Sequence, residues 1–110
     1  MSDYIQQAEK LLQEAANEED VKRAIEKLRE AVFTLLSGYY KTNDKKLIIS
    51  RFLNDVAKTR EYVLALYILV PYLFELMPDV IDNVPEDVLR LYLSNMIVLY
   101  EKSRHILGIL

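Results

Sequence analysis

The sequence predicts an all-α fold, and three observations carry that expectation. The 110 residues include only two Gly and three Pro, too few for the many turns of an all-β chain. Apolar residues recur at three- and four-residue spacing through several segments. The composition, 52% hydrophobic and 28% charged, is that of a globular chain with enough apolar side chains for one core. The architecture expected is a four-to-five-helix, up-down bundle forming a single domain over residues 1–110, with a long central third helix kinked at Pro71.

The first helix starts after Ser2 or Asp3, either of which can accept from the first free amides. Ile5, Ala8, Leu11, Leu12 and Ala15 make its inner stripe. Asn17 is the expected cap of the second helix, with Glu18, Glu19 and Asp20 placed where the helix dipole favours acids. That second helix is the most regular of the chain. Val21, Ala24, Ile25, Leu28, Ala31, Val32, Leu35, Leu36 and Tyr39 form one stripe, opposite a charged face from Lys22 to Glu30. It ends at Gly38 or one turn later, and Thr42 or Asn43 caps the next element.

The third helix is expected to run from about Asp44 toward Val70. Ile48, Phe52, Leu53, Val56 and Ala57 face inward in its first half. Its second half enters Tyr62–Phe74, thirteen residues with no charge, a surface that must be covered on most sides. Pro71 cannot donate to the carbonyl of Tyr67, so a kink or restart is expected there. Residues 78–84 form a loop or a single helical turn. Pro85 opens the last helix with Glu86 and Asp87 behind it, and Gly108 stops it. Leu91, Ile97 and Val98 exceed what one buried stripe of this helix needs.

Several function classes are disfavoured by the composition. The net charge of −3 gives no global attraction to nucleic acid or anionic lipid. With no Cys there are no disulfides, no thiol chemistry and none of the usual structural zinc sites, which fits a reducing, cytoplasmic setting. The N-terminal residues carry no signal-peptide pattern, and the 62–74 run falls short of the ~20 residues a membrane span requires. Abundant Ile, Leu, Glu and Lys with few Gly is a composition that suits a thermophile.

The residues that could carry chemistry each have a plainer reading. His105 and Glu101, at i and i+4, fit a surface His near a helix C-terminus better than half of a metal site. Glu75, Asp79, Asp82, Glu86 and Asp87 match no calcium loop and read as solvated or first-turn acids. Lys41, Lys45, Lys46, Arg51, Lys58 and Arg60 form a basic stretch without a stacking platform, so nucleic-acid binding is not expected. Tyr39, Tyr62, Tyr67, Tyr92 and Tyr100 lie on or beside apolar stripes and fit core margins or interface hot spots. No nucleophile–base pair, metal set or phosphate loop is found, so no enzyme activity and no cofactor are expected.

The run Glu19–Val32, with Ala24 and Ala31 as small crossing residues, resembles the helical hairpins of tetratricopeptide units and of MIT (microtubule-interacting and trafficking) domains. Together with Ala8-Glu9-Lys10-Leu11-Leu12 it is also similar to the opening of HEPN-type helical bundles, including an archaeal group. The first resemblance implies an adaptor that holds a partner's helix in a groove. The second implies an RNA-associated bundle. In HEPN nucleases an Arg is followed four to six residues later by His, whereas Arg104 and His105 are adjacent here, which implies a non-catalytic member. The leading expectation is a small non-enzymatic module that associates with itself, as a homodimer, through Tyr62, Tyr67, Tyr72, Leu91, Ile97 and Val98. A helical protein segment is the alternative partner.

Overall fold

A computed structural model describes residues 3–109, and helices make up nearly all of them. In chain order these are α1 (Asp3–Asn17), α2 (Val21–Tyr40), α3 (Lys45–Thr59), a single 3₁₀ turn (Tyr62–Leu64), α4 (Ala65–Leu76), the one-turn α5 (Asp79–Asp82) and α6 (Glu86–Leu107). No strand occurs among the described residues. The fold is therefore all-α.

Local chemistry sets most boundaries. The Asp20 carboxylate accepts from the Lys22 amide and caps α2, so the cap is Asp20 and not Asn17. Asp44 likewise caps α3 by accepting from the Lys46 and Leu47 amides, displacing Thr42 and Asn43 from that role. In both cases the carboxylate directly before the first helical residue has the short reach the free amides require. α2 runs past Gly38 and closes on Lys41 in the left-handed region, at φ 58°. Gly38 serves a different purpose, since the Tyr4 ring of α1 packs where its Cβ would be. Gly108, at φ 73°, ends α6 as its sequence position implies.

Two expectations need correction. The long third helix is divided: α3 stops at Thr59, and Arg60 turns the chain at φ 61°. The Thr59 hydroxyl donates back to the Val56 carbonyl at 3.0 Å and marks the end. A straight helix over residues 44–70 would be ~40 Å long, beyond the 34 Å longest extent of the molecule. The break lets the apolar segment fold back onto its own neighbours. A kink or restart was expected at Pro71; the restart does not occur, since Pro71 lies inside α4, which runs to Leu76.

The centre of the structure is α2, not the third helix. It packs against α1, α3, α4 and α6, and Ala24, Ile25, Leu28, Ala31, Val32, Leu35 and Leu36 are each almost fully buried. Alanines at Ala8 and Ala15 on α1 and Ala24 and Ala31 on α2 are all at 0% exposure, which lets those two helices approach closely. A second apolar cluster, Val21, Ile25, Phe74, Ile81 and Leu89, ties the start of α2 to α4, α5 and α6. Ion pairs pin the ends, among them Lys22 to Asp82 at 2.5 Å, Lys102 to Glu61 at 3.0 Å, and Arg104 to Glu9.

Candidate interaction face

The 62–76 segment has two apolar faces. Leu64, Tyr67, Ile68, Pro71 and Phe74 are buried against the core. On the opposite side Tyr62, Leu66, Leu69, Leu73 and Leu76 stand in solvent, from 39% exposed at Leu73 to 65% at Tyr62. Their spacing of four, three, four and three residues is the seam of a heptad repeat. α6 carries a matching ridge. Leu89, Leu93, Met96 and Tyr100 point inward, while Val88, Leu91, Asn95 and Val98 form an exposed line at three, four and three residues.

A groove of about 360 Å³ joins the two ridges. Val63, Leu66 and Val70 form one wall, and Tyr92, Asn95 and Val98 lie on the other. Asn95 is the only polar residue on the α6 ridge between Val88 and Val98, and no charged residue occurs from Tyr62 to Phe74. Ten of the twelve large apolar side chains exposed among the described residues fall between Tyr62 and Val98. Large apolar side chains left open in such number on one part of a monomer mark an interaction site.

The residues singled out from the sequence separate into three environments. Tyr62, Leu91 and Val98 are on the exposed ridges. Tyr72 and Ile97 are half-buried against the main core, with Tyr72 edge-on to Phe33 at 6.4 Å. Tyr67 is a correction. It is 0% exposed, packed between Phe52 at 5.6 Å and Tyr100 at 6.2 Å, and belongs to the interior of the chain itself. Leu66, Leu69, Leu73 and Asn95 were missed. Positions 62, 66, 69, 73 and 76 share one face by heptad spacing, but 64, 67, 71 and 74 recur at the same spacing, so the sequence did not say which face lies outward.

Elsewhere the titratable groups are committed to structure. Lys45 and Arg29 both pair with Glu75, and Arg51 donates to the Tyr40 carbonyl at 3.2 Å, so the basic stretch is partly tied down. Asp82 and Glu86 are paired with Lys22 and Arg90. His105 is exposed in the last turn of α6. Among the described residues no three His, Asp or Glu side chains converge as a metal ion would need.

The buried phenols form the one interior polar group of note. The hydroxyls of Tyr67, Tyr92, Tyr100 and Ser103 make no bond of full hydrogen-bond geometry, although Ser103 lies close enough to Tyr67 to offset part of the shift of its phenol. Burial pushes the Tyr67 phenol well up from its ordinary value, with Tyr100 adding to the shift, and burial raises Tyr100 and Tyr92 also. Tyr40 is raised by burial and by the hydrogen bond it donates to Asp55 at 2.5 Å. Each shift keeps the phenol protonated, away from nucleophilic or general-base work.

No protein-family model matches the chain, and no curated protein or solved structure matches it. None of the described helices is long and apolar enough to cross a membrane.

Proposed function

We propose that this chain is a non-enzymatic interaction module that associates with a second copy of itself through the ridges of α4 and α6. One observation carries the reading: the ridge of Tyr62, Leu66, Leu69, Leu73 and Leu76 and the line of Val88, Leu91 and Val98 leave large apolar side chains in solvent on either side of a shared groove. A heteropartner of defined charge would find no charged side chain from Tyr62 to Phe74 to recognise, whereas an uncharged stretch suits its own copy without like-charge repulsion. The two heptad ridges also have the spacing that helices use to pack on one another. Sedimentation equilibrium tests the proposal. A dimer at low micromolar concentration is expected, and a single monomeric species at several hundred micromolar would rule the reading out.

A partner's amphipathic helix laid in the groove between α4 and α6 is the competing occupant, of the kind the adaptor resemblance implies. It predicts a monomer whose groove stays open until the partner is added.

A further inference from the structure

The two ends of the α6 ridge differ in charge. Glu86 and Asp87 lie in the first turn, just before Val88. Lys102 follows Val98 on the same line, and Arg104 and His105 occupy the last turn. On the ridge line from Val88 to Val98 only Asn95 is polar; on the flanks Arg90 pairs with Glu86 and Glu101 with Arg104, so Asp87 and Lys102 carry the difference in charge. A parallel pair of such helices would put acid against acid at one end and base against base at the other. An antiparallel pair would put each acidic end over a basic end, twice over, and would oppose the two helix dipoles favourably.

We infer that two copies pair about a two-fold axis with their α6 helices antiparallel, each α6 ridge seated in the α4–α6 groove of the other. This rests on the self-association proposed above and adds its geometry. Leu66 and Val98 both line the groove, and a ridge of Val and Leu side chains suits an apolar channel of about 360 Å³. Asp87 of each protomer then comes within reach of Lys102 on the partner, a residue that already reaches Glu61 within its own chain.

The absence of Cys makes the geometry directly testable by disulfide cross-linking. Val88→Cys and Val98→Cys both fall on exposed positions, at 49% and 65%, where folding tolerates the change. In the antiparallel arrangement, a mixture of the two variants forms a covalent heterodimer under mild oxidation, while either variant alone gives at least about tenfold less covalent dimer, because its two cysteines lie on the order of 15 Å apart along the seam. Covalent dimers of the single variants, with no preference for the mixture, would establish a parallel pairing and overturn the inference. A noncovalent dimer in sedimentation with no cross-linking in any combination would also overturn it, by placing α6 outside the interface. A monomer at every concentration would instead defeat the self-association on which it rests.

Discussion

Replacing Leu66 and Leu73 by Gln together probes the exposed ridge of α4 with little disturbance to the fold. The two side chains are 50% and 39% exposed and occupy equivalent heptad positions, one turn pair apart. Fully burying a Leu is worth about 1.5–3 kcal/mol, so covering the exposed part of both contributes roughly 1.4–2.7 kcal/mol per protomer. Two-fold symmetry doubles this to about 3–5 kcal/mol per dimer. The dimer dissociation constant is then expected to rise by about two to four decades, at roughly 1.4 kcal/mol per decade. Gln has a helix propensity close to that of Leu, so each change should lower the stability of the folded chain by less than about 1 kcal/mol. Sedimentation equilibrium reads the first quantity, and urea unfolding of the dissociated protein reads the second. A dissociation constant within about threefold of the parent, with folding intact, would show that α4 lies outside the contact and would refute the reasoning.

Tyr67→Phe removes a buried hydroxyl that makes no bond of full hydrogen-bond geometry, and the variant should unfold at equal or higher urea concentration, with up to about 1–3 kcal/mol gained. A loss above about 1 kcal/mol would mean that the hydroxyl is satisfied, with Ser103 the nearest donor to suspect. Alkaline pH should act through Tyr67 and Tyr100, whose folded pKa values lie above the unfolded value near 10. Their contribution is complete below pH 10 and is lost as pH rises above it, at about 1.4 kcal/mol per pH unit for each phenol. Phenolate absorbance reaching the value for all eight tyrosines while the chain stays folded would contradict this. Gly38→Ala should destabilise by about 1–2 kcal/mol despite the better helix propensity of Ala, because its Cβ meets the Tyr4 ring. Adding Tyr4→Ala should then recover part of the loss in a double-mutant cycle, and strict additivity would sink the explanation. Asp87→Lys should weaken association severalfold at low salt, and Lys102→Glu in the same chain should restore it, an effect that fades at high ionic strength.

Where a helix has one polar and one apolar side, its orientation was legible in advance. Ala8, Leu12 and Ala15 on α1 and the stripe from Val21 to Leu36 on α2 were placed correctly, because charged residues such as Lys22 and Glu26 mark the side that must face water. The stop at Gly108 and the single turn between Pro78 and Pro85 followed from turn chemistry in the same way. The exposed line of Leu91 and Val98 was read from their surplus over one buried stripe of α6. The caps Asp20 and Asp44 were misplaced by one to three positions, since several neighbouring side chains could each accept from a free amide.

The 62–76 segment marks the boundary between what sequence and tertiary structure decide. Composition alone determined that it is apolar, helical and too short to span a membrane. With no polar side chain between Tyr62 and Phe74, nothing in the sequence distinguished an inner from an outer face. Tyr67 and Tyr72 were equally eligible for the surface, and Leu66 and Leu69 for the core. That choice was made by the turn at Arg60, which folds the segment back onto α2 and α3. Close packing then admits only the side chains that fill the space between Phe52 and Tyr100, and Tyr67 fills it. The sequence determined how much apolar surface the chain has; the tertiary packing decided which part of it stays uncovered.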